Sequence, residues 1–257
     1  MSIHPQAVIH PDAQVGEGTR VGPFSVIEAH VIIGPDCCIG PHVVIHSHTR
    51  LGPGAQVHAG VVLGDIPQDM AFKEVRSSVE IGEGCIFREG VTVHRGTKAD
   101  TVTRLGDRCF LMANSHVAHN CVLGDDVILA NGVLLGGYVE LGDRVFLSGN
   151  CVVHQFCKVG TLAMMSGLSA ASKDVPPYCI LHNSSTNQVA GLNVVGMRRA
   201  GLTGEQRKEI KQAFNILYRS GLNLQEAVAR MKEAYPEGPA ATLWKFAEHS
   251  TRGLCGM

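Results

Sequence analysis

From Ile3 onward a large aliphatic residue returns at every sixth position: Ile9, Val15, Val21, Ile27, Ile33, Ile39, Ile45, Leu51, Val57 and Leu63. After an interruption the same phase resumes at Val75, Ile81, Phe87 and Val93, and it runs on from Leu105 to Met165. Of the 28 positions in this phase only Asp69 and Ala99 are not large and apolar, where chance would place about a third. The fourth residue after each aliphatic is small or β-branched, as at Ala7, Ala13, Thr19, Ser25 and Cys37. The residue directly after it is often glycine, as at Gly16, Gly22, Gly34, Gly106, Gly124 and Gly142. One large and one small inward residue per short strand, with a turn between, builds a three-sided coil of three hexads. Coils then stack about 4.8 Å apart, and the period predicts a parallel β-helix.

Two stretches break the hexads. GDIPQDMAFKEVRSSVE at 64–80 and RGTKADTVTR at 95–104 read as loops ejected from the prism, and loops on a rigid scaffold tend to carry function. After about residue 180 the period changes. Thr203 with Gln206 forms a capping box ahead of a helix that stops at Gly221. Asn223 with Glu226 opens a second helix ended by Pro236, and a third, ATLWKFAEHS, follows Pro239. The expected organisation is therefore mainly β, with a β-helix over 1–185 and a helical segment over 186–257 that caps the last coil, whose open edge would otherwise invite aggregation.

Composition agrees: 5% aromatic residues and 30 glycines suit a repetitive β architecture better than an ordinary core. The opening MSIHPQAVIHPD has no basic flank and no apolar stretch. No apolar run approaches the roughly 20 residues that span a bilayer, so the expectation is a cytoplasmic protein without a membrane span. Residues 1–197 hold 12 Lys and Arg against 17 Asp and Glu, and residues 198–257 hold 10 against 6. A basic tail on an acidic body suits an acidic partner or an anionic substrate, and suits a solvated helical surface equally well. Cys37, Cys85, Cys109, Cys121, Cys151 and Cys157 all take the small inward position, where free thiols fill a core; no CxxC pair occurs, and no metal is expected.

None of the prism histidines takes an inward phase, and most read as surface residues. His119, in NSHVAHNCVLG, differs from these. Eighteen residues on stands Gly137, so the two should lie in adjacent coils, about 4.8 Å apart. A neutral imidazole beside a bare backbone N–H suits acyl transfer: the ring takes a hydroxyl proton and the N–H holds the developing oxyanion. His154 follows 35 residues after His119, about 10 Å up the prism. On a strand His116 and His119 would point to opposite sides.

The segments IPQDM, VTVHRGT, NSHVAHNC, VVHQF, DVPPY, GLNVVGMRR, LYRSG and STRGL occur in this order. Together they resemble the acyl carrier protein-dependent UDP-N-acetylglucosamine O-acyltransferases that begin lipid A synthesis, over essentially the whole chain. The resemblance implies a left-handed β-helix, a homotrimer with active sites between subunits, acyl carrier protein as donor, and no cofactor or nucleic-acid partner. It also implies His119 as general base and Gly137 as oxyanion donor. His94, His116, His154 and Gln155 correspond to substrate-positioning residues, Asp69 to a sugar contact, and Asn193 and Arg199 to nucleotide or phosphate contacts. Gly167 falls at the acyl-length ruler.

The chain departs from familiar members at Tyr138, where histidine is common, and at Ala71, where lysine often follows PQD. Val195 and Ala200 replace a frequent Glu and Arg, and Asn120 stands where Asp often supports the base. Alternatives are a hexapeptide acyltransferase that uses coenzyme A or acylates a sugar amine, and a zinc enzyme of the carbonic anhydrase type. The N-acyltransferase of the same pathway usually carries an extra N-terminal domain, whereas here hexads begin at Ile3. The zinc class sets two ligands about five residues apart, unlike His116 and His119.

Overall fold

The computed structural model describes residues 2–182 and 186–256; the expected boundary between the two segments, at 185 and 186, touches the residues outside this description. The first part is a left-handed parallel β-helix of short strands, most of them two residues long. Ser2 pairs with Arg20 and Arg20 with Cys38, so one coil is eighteen residues. The strands form three faces. Face A runs from Ser2–Ile3 to Cys179–Leu181 and ends on the antiparallel strand Val189–Leu192. Face B runs from Val8–Ile9 to Ala170–Ala171, and face C from Gln14–Val15 to Lys158–Val159. The hexad aliphatics point inward: Ile27, Ile45, Leu63, Leu111, Leu129 and Leu147 are fully buried. The inward cysteines are buried beside them, their thiols donating to carbonyls of the next coil, as Cys121 does to Gly136.

From Gly18 onward most corners turn through one residue in left-handed backbone, and these residues also recur at sixfold spacing: Phe24, His30, Asp36, His42 and His48, then Asn114, Asn120, Asp126, Tyr138 and Asn150. Asn, Asp and Gly tolerate this region best. Side chains at these sites stack up the corners, as Phe24 does on His42 and Tyr138 on Phe156. The hexad glycines serve another purpose. At Gly106 a Cβ would lie 2.6 Å from the Gly124 carbonyl carbon, so the glycine lets coils approach.

Both interruptions leave the prism at the corner between faces B and C. The first joins Val62–Asp65 to Ser78–Ile81 and the second joins Thr92–His94 to Val102–Leu105. The loops are shorter than their hexad gaps suggest because strand pairing reaches Asp65, Ser78 and Val102. His119, Gly137 and Gln155 lie at the same corner, farther up.

Four helices follow: α1 (Val194–Arg199), α2 (Gly204–Arg219), α3 (Leu224–Ala234) and α4 (Gly238–Glu248). Capping boxes open α2 at Thr203 and α3 at Asn223, as expected. The short α1 lacks a hydrophobic period to announce it. Ile210, Phe214, Leu243 and Trp244 share one core with the last coils, and the Tyr178 hydroxyl donates to the Pro239 carbonyl. None of the described helices is long and apolar enough to cross a membrane.

Gly106→Ala should lower stability by about 1–3 kcal/mol through overpacking between coils. Gly54→Asn should be nearly neutral, since a Cβ there meets nothing within 4 Å and its left-handed φ of +68° suits Asn. Urea unfolding of both variants checks the contrast.

Candidate active site at the B–C corner

The ejected loops and the upper corner enclose a cleft of about 650 Å³, lined by Asp69, Ala71, Thr97, Lys98, His119, Tyr138, Gln155 and Phe156 among others. On this lining the His119 ring covers Gly137: a Cβ on Gly137 would stand 2.3 Å from Cε1 and 2.6 Å from Nε2 of the ring. Only glycine leaves room for the imidazole. The Gly137 N–H has no acceptor among the described residues. At the corner between faces C and A, three corresponding N–H groups are capped, those of Glu83, Asp107 and Asp125 donating to Asp107, Asp125 and Asp143.

Asn120 determines how His119 stands. Its side-chain oxygen Oδ1 lies 3.0 Å from His119 Nδ1. The same oxygen accepts the Thr97 backbone N–H, also at 3.0 Å, and a backbone N–H can only donate. The atom facing His119 is therefore an acceptor, which makes Nδ1 the protonated nitrogen and leaves a lone pair on Nε2. The Thr97 hydroxyl donates to Asn120 Oδ1 as well, so the Tyr138 hydroxyl, 3.0 Å away, donates to Thr97. Tyr138 also sets its ring edge-on to His119, with 5.4 Å between centroids, and stacks on Phe156. Asn120 itself sits at a left-handed corner with φ of 60°, its N–H held by the Thr103 hydroxyl at 2.7 Å.

Asp69 lines the cleft wall, with one carboxylate oxygen accepting the Ala71 N–H at 2.9 Å. Gln155 lines it from above. His116 does not: it lies on face B, on the strand His116–Val117, while His119 occupies the turn beyond. A two-residue strand is too short for alternation to relate the two histidines. Thr92 Oγ1 bonds His116 Nδ1 at 2.7 Å, and the buried His94 packs edge-on at 4.9 Å. Burial, then the nearby His94 and His119, push the His116 pKa down to about 4. Burial also lowers that of His94, whose Nδ1 has no partner among the described residues. This pair stands near His119 as neutral rings.

His154 is exposed farther up the corner, its Nδ1 3.3 Å from Arg252 of the C-terminal segment. Asn193 and Arg199 stand apart on face A, in an apolar groove of about 720 Å³ with Val195, Ala200, Phe146 and Met164. The Asn193 side chain caps α1 through the Gly196 N–H and donates to the Leu162 carbonyl, so it builds the groove. Gly167 lies at the corner between faces A and B, where a Cβ would meet the Gly149 carbonyl at an ordinary 3.5 Å.

Arg95 went unrecognised as a structural residue in the sequence. It is buried and clamps the first loop to the prism: it pairs with Glu74, donates to the Val75 carbonyl at 2.8 Å and lies over the Phe72 ring. Arg108 is likewise committed, facing Glu83, Asp107, Asp125 and Asp126. Both arginines therefore have carboxylate partners within the chain. The motif VHRGT was the available signal, because it places Arg95 and Thr97 directly after a strand end.

Arg95→Ala should free the loop from the prism: amides of 66–77 should exchange and be cleaved by protease much faster while the prism keeps its melting transition. Acid should also weaken the fold through His116. An unfolded histidine binds its proton near 6.5, the folded one near 4, so the unfolded state holds the extra proton between these values and stability falls as pH drops through that window. His116→Asn should flatten this fall in urea midpoints measured from pH 7 to 4.

Residues 174–255 match the family described as Udp N-acetylglucosamine O-acyltransferase, Domain 2. The bacterial transferase hexapeptide family matches at 12–47, 30–65 and 103–137. The acyl-[acyl-carrier-protein]–UDP-N-acetylglucosamine O-acyltransferase of Sulfurihydrogenibium sp. (strain YO3AOP1) is 50% identical, covering 99% of this chain and 94% of that protein. That of Anaeromyxobacter sp. (strain Fw109-5) is 43% identical over 99% of each. Among solved structures, the UDP-N-acetylglucosamine acyltransferase of Francisella novicida superposes with a TM-score of 0.96 at 35% identity, over 99% of this chain and 94% of that one. The Campylobacter jejuni enzyme gives 0.93 at 36% identity over all of both chains. With full-length relatives of this similarity, the chain belongs to the acyl-[acyl-carrier-protein]–UDP-N-acetylglucosamine O-acyltransferases.

Proposed function

We propose that this protein moves a 3-hydroxyacyl chain from acyl carrier protein to the 3-hydroxyl of the glucosamine ring of UDP-N-acetylglucosamine, the opening step of lipid A biosynthesis, in the cytoplasm and as a homotrimer. The observation that carries the chemistry is the His119 lone pair, aimed by Asn120 and set against the Gly137 N–H. His119 Nε2 takes the hydroxyl proton as the oxygen attacks the thioester carbonyl. The Gly137 N–H donates to the oxyanion that forms. Collapse breaks the carbon–sulfur bond, and the imidazolium returns the proton to the departing thiolate. Asp69 and Gln155 hold the sugar from two sides, and His94 and His116 shape the wall behind it.

The trimer reading rests on unequal faces. Outward positions of face C carry Arg50, Glu80, Arg104, Glu140 and Lys158, paired across strands as Glu80–Arg104 and Glu140–Lys158. Those of face B carry Val8, Val26, Val44 and Val62, then Thr92 and His116, then Leu134 and Val152; those of face A are polar or small in the first coils and become Ile86, Phe110, Ile128, Phe146 and Met164 above them. A contiguous apolar face of this kind marks an association surface. A second copy also supplies what one chain lacks, since Asn193 and Arg199 stand on a different face from His119. Gly167, at the A–B corner, marks the acyl end of the groove in this arrangement.

Mass spectrometry of products from a panel of acyl carrier protein thioesters with UDP-N-acetylglucosamine should show one O-acylated sugar nucleotide. His119→Ala should lower kcat by about 10² or more while light scattering still reports three chains. Near wild-type turnover by that variant, or a fully active monomer, overturns the corresponding half of the proposal.

A further inference from the structure

The cleft is lined by one carboxylate, Asp69, by neutral polar and aromatic groups, and by a single lysine, Lys98. Both substrates of the reaction carry phosphate: a diphosphate in the sugar nucleotide and a phosphodiester in the pantetheine arm of the donor. Lys98 is exposed and pairs with no carboxylate among the described residues, whereas Arg95, three residues before it, is held by Glu74. Ala71, on the same lining, adds no charge.

The backbone under Lys98 is held firmly. Its N–H donates to the Thr101 hydroxyl at 3.2 Å, and its carbonyl accepts the Thr101 hydroxyl at 2.7 Å and the Thr101 N–H at 3.1 Å. The preceding residue, Thr97, is the one that pins the Asn120 oxygen. The second loop thus orients the base through one residue and presents a cation to the same cleft through the next.

We infer that Lys98 is a specificity-determining residue that binds a substrate phosphate at the mouth of the transfer site. The inference rests on the reading of His119 as the centre of that site. A compact ammonium on a flexible stem suits a phosphate approached from solvent, where it acts as a point charge. Its position beside the base lets it orient the bound substrate, so its contribution falls on substrate affinity more than on the chemical step.

The test compares Lys98→Ala, Lys98→Arg and Lys98→Glu. KM for one substrate should rise about tenfold in Lys98→Ala and further in Lys98→Glu, and stay within about twofold of wild type in Lys98→Arg. Saturated kcat should change far less, and the salt dependence of the affected KM should weaken in Lys98→Ala. If the diphosphate is the ligand, KM for UDP-N-acetylglucosamine rises and calorimetric titration with UDP weakens in step. If the pantetheine phosphate is the ligand, the effect follows the donor and disappears when acyl-pantetheine replaces acyl-phosphopantetheine. Unchanged KM values in all three variants overturn the inference, as does an alanine effect that arginine fails to restore. His119→Ala is measured alongside: full activity in that variant removes the site reading itself, whatever Lys98 does.

Discussion

Each regular coil of the prism turns three times in eighteen residues, and most turns after the first coil place one residue in left-handed backbone. That constraint governs the rest of the molecule. It sets the sixfold register of the aliphatics, because a strand of two paired residues can bury only the side chains on either side of the turn. It determines which side chains meet, since the left-handed residue of one coil stands directly under that of the next. Asn120, Tyr138 and Phe156 form such a column, and the hydrogen-bond network around His119 is built from its first two members. A corner that stacks polar and aromatic residues at a fixed interval provides a rigid framework for a hydrogen-bond chain.

Placement of both insertions at one corner follows the same logic. A solenoid has no interior cavity, since its core is filled by hexad side chains, so a site must be walled from outside. Two loops leaving successive coils at the B–C corner supply that wall, and Arg95 holds them together with the help of the Ser77 hydroxyl on the Gly96 carbonyl. The Asp100 N–H on the Arg76 carbonyl completes the connection. The cleft is thus a loop-built cavity with His119 on the rigid scaffold.

The period alone made the coil legible, and adding one coil length to 119 located Gly137 correctly. Helices α2 and α3 were legible from their capping boxes. Three things were hidden from a one-dimensional reading. The two-residue strands defeat the alternation argument that set His116 opposite His119. The loop lengths were overestimated because Ser78 and Val102 pair outside the hexad phase. The carboxylate partners of Arg95 and Arg108 are also not apparent from neighbouring sequence alone: Glu74 precedes Arg95 by 21 residues, and Asp126 follows Arg108 by one coil of 18. Spacing along the chain reports the coil well and the loop contacts poorly, since a loop folds back at no fixed interval.

Asn120 shows why a departure from a family pattern need not be a loss. An amide presents either an oxygen or an NH2 to its neighbour, and an NH2 facing His119 would hold the wrong tautomer, with the lone pair turned away from the substrate. A carboxylate carries no such risk. Here the Thr97 backbone N–H removes the ambiguity by requiring an oxygen at the position that His119 also faces. The tautomer therefore depends on the loop as much as on the corner, and Tyr138, reaching Thr97 through its hydroxyl, braces the loop from the coil above. The amide supplies direction without negative charge: it fixes the tautomer of His119 and adds no anion beside the ring. Asn120, Thr97 and Tyr138 act as one unit, and the asparagine works only in the company of the other two.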